Sequence, residues 1–244
     1  MIASRRPASR ARLPVALAVF LVAAAAWAEA PPASLDKQTV PASGRGEAIL
    51  RVERFGRYAV AAGSEQGVSV QILDRMAGPG EVSGEPGGRD GRVDLFLDRG
   101  EVKVVTRGHE KAAGEAALSV RPFRELQDPA PRLVELKPVS ASLGDLEQRS
   151  FWLDLPAERW VLLEAAGRNL SDLRLWKDGT WLVDASAGAE LLEPAPGKPL
   201  RCLRIAAKLE PGLYLLTAYG GPDEPWAEDP SLKTKNAFER SRGA

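Results

Sequence analysis

"LEPGLYLLTAYGG", residues 209–221, decides how this chain is read, because "LDRGEVKVVTRG", residues 97–108, repeats its pattern. Leu97, Asp98, Gly100 and Gly108 fall opposite Leu209, Glu210, Gly212 and Gly220, with seven residues between the two glycines of each copy. Both stretches alternate as a half-buried strand does, and each strand is entered through a glycine. Gly100 and Gly212 are therefore structural turn residues, placed where a positive φ is free of a Cβ clash.

Working outward, the residues ahead of each copy also correspond. "AILRVERFGRYAVAAG" (residues 48–63) reads as a hairpin, and "RSFWLDLPAERWVLLEAAG" (149–167) matches it with a short insertion and the same Ala-Ala-Gly ending. "VSVQILD" (68–74) and "SDLRLWKDG" (171–179) come next, followed in each half by a loop rich in Gly and Pro: "MAGPGEVSGEPGGRDG" (76–91) and a stretch containing "LEPAPGKP" (192–199). "AALSVRPF" (116–123) closes the first unit. No convincing helix appears in the mature chain, since Gly114 interrupts the helix formers of "RGHEKAAGEAAL". The fold class predicted is all-β: two tandem jelly-roll or immunoglobulin-like sandwiches from an internal duplication.

The predicted organisation is a signal peptide over 1–30, a linker or edge strand over 31–47, units at 48–123 and 139–221, a linker over 124–138, and a polar tail over 222–244. Because "LYLLTAY" is more apolar than "EVKVVTR", the second unit is expected to hold the stronger core.

Each unit runs strand, turn, strand ending "AAG", apolar strand, long loop, then "L[DE]xG" before an alternating strand. In this it resembles the bacterial pre-peptidase C-terminal domain, over residues 40–123 and 139–221. "PGLYLLTAYG" carries that resemblance best. It implies a jelly roll and an accessory, targeting or binding role beside exported proteins, although no peptidase domain accompanies it here. Gly100 and Gly212 match that family's turn glycine.

The first thirty residues support export. Arg5, Arg6, Arg10 and Arg12 precede the apolar "LPVALAVFLVAAAAWA", and small residues offer cleavage after Ala28 or Ala30. The apolar run is shorter than the roughly 20 residues a membrane helix needs, so no span is expected after cleavage. The expected location is periplasmic or secreted. With 33 Lys plus Arg against 33 Asp plus Glu, no net charge draws the chain to nucleic acid.

Chemistry-bearing motifs are few. His109 and Glu110 suggest a zinc helix, but position 113 is Ala and the chain has one His, so the ligand set cannot be assembled. Cys202, the only cysteine, can form no internal disulfide and reads as a small strand residue. Asp90, Asp94 and Asp98 could offer oxygen ligands to calcium, without any DxDxDG loop. "NLS" at Asn169 is a three-residue match of no weight. No catalytic residue, cofactor or metal is expected.

The tryptophans are asymmetric: Trp152, Trp160, Trp176, Trp181 and Trp226 all lie in the second unit or its tail. Trp160 stands in an apolar strand and is expected in the core. Trp176 and Trp181 flank the hairpin tip "KDGT" and are, with Trp226, the candidate binding surface. The function expected is an exported, non-catalytic binding or structural protein of a bacterial envelope, its partner an envelope protein or a polysaccharide, its oligomeric state open. The alternative is a carbohydrate-binding module that stacks sugars on exposed tryptophans of the second unit.

Overall fold

A computed structural model of the chain describes residues 31–74, 78–192 and 200–222. The signal-peptide segment, the "EPAPGKP" loop and the tail with Trp226 lie outside the described residues. What is described is nearly all β, with one short 3-10 turn at Val183–Ala185.

The first half contributes β1 (Ala33–Leu35), β2 (Thr39–Pro41), β3 (Gly44–Val52), β4 (Gly56–Gly63), β5 (Val68–Asp74), β6 (Gly78–Ser83), β7 (Gly91–Leu97), β8 (Gly100–Gly108) and β9 (Glu115–Pro122). They form two sheets, in the orders β1-β3-β8-β5-β6 and β2-β9-β4-β7. Period-two alternation dictates which residues face inward. Leu50 and Val52 of β3, Tyr58 and Val60 of β4, and Val68 and Val70 of β5 are all fully buried between the sheets.

The second half contributes β10 (Arg124–Glu125), β11 (Glu147–Leu155), β12 (Arg159–Gly167), β13 (Leu170–Lys177), β14 (Thr180–Trp181), β15 (Gly188–Leu192), β16 (Leu200–Leu209) and β17 (Gly212–Gly220). Its sheets run β10-β11-β17-β13-β14 and β12-β16-β15. The series β3-β8-β5-β6 and β11-β17-β13-β14 are thus superposable in order, as are β4-β7 and β12-β16.

The pairing registers fix the correspondence residue by residue. Val52 pairs with Gly100 as Leu155 pairs with Gly212, and Gly56 pairs with Leu97 as Arg159 pairs with Leu209. Gly100 and Gly212 have φ of 149° and 150°. At the far ends of these strands, a Cβ on Gly108 would lie 1.6 Å from the Ala42 carbonyl oxygen, and one on Gly220 would lie 1.9 Å from that of Gly144. Only glycine fits where two backbones approach so closely.

Of the linker or edge strand expected over 31–47, the structure shows edge strands: β1 and β2 each lie at the edge of a sheet of the first sandwich, and Val40 and Ala42 join its core. Other expectations are corrected. Part of the Gly- and Pro-rich stretch after β5, Gly78–Ser83, is the edge strand β6, which suits residues that interior strands cannot use. The linker over 124–138 is partly laid along the second sandwich, through β10 beside β11 and a bridge from Arg132 to Trp152. The shared Ala-Ala-Gly endings are one residue out of phase, since the register sets the buried Ala62 against Ala165 and leaves Ala166 exposed.

The halves also differ in closure. In the first, β9 pairs antiparallel with β4 and brings Ala116 and Leu118 into the core. Among the described residues, no strand takes that place beside β12. Val161, Leu163 and Ala165 are consequently only partly covered, and the second core is the less sealed of the two despite its more apolar strands.

Candidate functional site

Trp176 and Trp181 are a cross-strand pair on β13 and β14, and both are half-buried. Trp176 meets Phe96 of the first sandwich edge-on at 5.3 Å and Phe55 at 6.1 Å. The Arg174 guanidinium lies 3.8 Å from the Trp181 ring and 4.1 Å from the Phe96 ring. The tip is therefore part of a seam between the sandwiches, in which both tryptophans keep only part of their surface exposed.

Arg57 is the centre of that seam. It is 8% exposed, its Nη1 donates to Asp172 Oδ2 at 2.7 Å, and its guanidinium faces the rings of Tyr219, Phe123 and Phe96 at 4.7, 5.0 and 5.4 Å. Burial pulls the Arg57 guanidinium below its ordinary pKa, and Asp172 and Asp94 offset this only in part. Tyr219, buried in the same cluster, has its hydroxyl pushed up to about 12, chiefly by desolvation. A second ion pair crosses nearby, where Arg92 bonds both Asp94 of its own strand and Asp145 of the second half. These charges are bound to one another across the seam.

Among the described residues, the exposed aromatic of the second half is Trp160. Expected in the core, it is 70% exposed, because β12 turns Val161, Leu163 and Ala165 inward and leaves Trp160 and Leu162 outside. By register Trp160 and Leu162 occupy the places of Arg57 and Ala59. In the first sandwich that outer face is sealed by the second; on β12 no described residue seals the same face, and Trp160 and Leu162 stand exposed.

Beside β12 lies a cleft of about 1030 Å³ between that strand and residues 133–143. Its floor is the incompletely covered core: Leu153 of β11, Leu163 and Leu216. Its rim carries Val134, Leu136, Val139, Trp160 and Leu162, five of the nine large hydrophobic side chains that stand exposed among the described residues. Leu136 is 97% exposed at φ 58°, a left-handed conformation that costs a leucine on the order of 1 kcal/mol. Scattered surface hydrophobics are ordinary, whereas their collection around one cleft marks a binding surface.

Elsewhere the polar candidates are accounted for locally. His109 Nδ1 accepts from the Lys111 amide at 3.2 Å. Of the three aspartates considered for calcium, Asp90 accepts from the Ser64 amide at 2.9 Å and Asp94 is held by Arg92, so these two are engaged separately. Among the described residues no three His, Cys, Asp or Glu side chains gather as a metal-binding group. Cys202 is fully buried, and desolvation, with Glu164 adding to it, raises its thiol pKa. No helix among the described residues is long and apolar enough to cross a membrane.

No known protein family matches the chain, and no curated protein is similar to it.

Proposed function

We propose that this is an exported, non-catalytic binding protein of a bacterial envelope, and that it binds a protein partner through the β12 cleft of its second sandwich. The observation that carries the reading is the gathering of exposed apolar side chains, Leu136, Trp160 and Leu162 foremost, around a cleft whose floor is an incompletely covered core. Burying such side chains contributes roughly 1.5–3 kcal/mol each, so three of them suffice as the anchor of an interface. Arginines and carboxylates at the rim, such as Arg159 paired with Glu135, supply the polar border. The basic-then-apolar N-terminus supports export, and the strand pattern shared with the pre-peptidase C-terminal domain supports an accessory role.

The test is crosslinking of the tagged mature chain in its native envelope, with Leu136→Asp and Trp160→Ser as the lesion and Trp176→Ala as a control outside the cleft. One dominant protein that is lost with the cleft lesion and kept with the control supports the reading. Polysaccharide recovered instead, and lost with the control substitution, would return the carbohydrate alternative to first place.

A further inference from the structure

Resting on that cleft reading, we infer that the partner contributes an extended peptide segment, apolar at alternate positions, which adds as a strand to the open edge of β12. The chain itself shows what fills such a place. In the first sandwich β4 is flanked by β7 on one side and β9 on the other; in the second, β12 is flanked, among the described residues, by β16 alone. Backbone groups along the free edge of β12 have no backbone partner among the described residues. An unpaired edge beside an apolar cleft is a template for strand addition, main-chain hydrogen bonds giving affinity and alternate pockets giving specificity.

The register defines the ligand. Val120 of β9 pairs with Val60 and Leu118 with Ala62, and those β4 residues correspond to Leu163 and Ala165 of β12. An incoming strand runs antiparallel to β12, with aliphatic side chains opposite Val161, Leu163 and Ala165, pointing into the cleft. Its other face lies alongside Trp160 and Leu162, which supply apolar area outside the sandwich.

Two other occupants fit less well. The tail after Pro222 lies outside the described residues, and its sequence sets Glu228, Pro230 and Leu232 at the spacing from Gly220 that Ala116, Leu118 and Val120 have from Gly108, a charge and a residue without an amide proton in place of two small or aliphatic side chains. A second copy stacked as the second sandwich stacks on the first would set Ser69 and Arg107 over the outer face of β12 in place of Asp172 and Tyr219, covering Trp160 but leaving the strand's edge unpaired.

The test uses the mature chain, isotopically labelled, and a synthetic peptide of residues 115–123 carrying Pro122→Leu, followed by amide hydrogen exchange. Strand addition slows exchange of alternate β12 amides about ten-fold or more. It also makes N-methylation of alternate peptide amides weaken binding about ten-fold at one parity, roughly two lost hydrogen bonds, and hardly at all at the other. Binding that protects no β12 amide and ignores methylation parity overturns strand addition and leaves the cleft reading standing. No binding by the peptide overturns it as well; the cleft reading falls only if the Leu136 and Trp160 lesion also leaves crosslinking unchanged. Protection already present without peptide refutes a partner strand, whether removal of residues 223–244 abolishes it, pointing to the chain's own tail, or dilution does, pointing to a second copy.

Discussion

Removing Asp172 will destabilise the protein far more than removing the arginine it pairs with. The Arg57 side chain is 7% exposed and that of Asp172 24%, with 2.7 Å between Nη1 and Oδ2. Asp172→Ala leaves the Arg57 cation under three rings with Arg174 nearby and its principal counter-charge gone. Breaking a buried pair in this way costs about 3–5 kcal/mol, and the partial exposure of Asp172 brings the expectation to about 2–4 kcal/mol. Arg57→Met is different, because an apolar chain of similar length fills the space among Phe96, Phe123 and Tyr219 while Asp172 keeps its 2.8 Å bond to Arg174. The depressed pKa of Arg57 says that its desolvation is incompletely offset by the pair, so this change is expected to cost only about 0–2 kcal/mol. Urea unfolding of both single variants and the double variant gives the coupling directly. With the cation gone, adding Asp172→Ala should cost little more. If Asp172→Ala proves the milder single change, or the two costs simply add, the seam is not held by a desolvated ion pair.

Three further outcomes are expected. Gly220→Ala must displace the Gly144 carbonyl 1.9 Å from its Cβ, and Gly108→Ala the Ala42 carbonyl at 1.6 Å; each should lower unfolding free energy by about 2–4 kcal/mol, whereas Gly44→Ala, strained only by its positive φ, should cost about 1 kcal/mol. Asp145 loses solvation by burial, yet its bidentate bonds to Arg92 prevail and hold its pKa below the usual carboxylate value. Its contribution, about 0.5–1 kcal/mol once screening is allowed for, is thus complete above roughly pH 3.9 and lost as pH falls through the lower folded value. The stability gap between wild type and Asp145→Asn, followed by acid titration of denaturant midpoints, should close across that window; a gap independent of pH would contradict the pairing. Cys202, fully buried in β16, should react with a thiol reagent only when the second sandwich opens, so labelling that is fast in native buffer would contradict its placement.

Strand alternation and the glycine echo made the all-β class legible, because both are local in sequence. The positions of the tryptophans were not. Trp160 and Val161 sit in one apolar run, and which of them is covered depends on parity and on whether a strand lies beside β12, a fact absent from residues 159–167 themselves. Trp176 reads as a hairpin-tip residue because its ring partners, Phe55 and Phe96, are about 80 to 120 positions earlier in the chain. The same distance hides Arg57 and Asp172, 115 residues apart, each unremarkable in its own strand. The Ala-Ala-Gly echo misled by one residue, since in a strand a slip of one exchanges inside for outside.

The seam has a mechanical consequence. The crossing contacts, Arg57 to Asp172, Arg92 to Asp145 and the ring cluster about Phe96, are spread over β4, β7, β13 and β17, so neither sandwich can pivot on a single point. Parting the sandwiches therefore means breaking several of these contacts together, so a load that reached one half would be passed to the other through the whole seam.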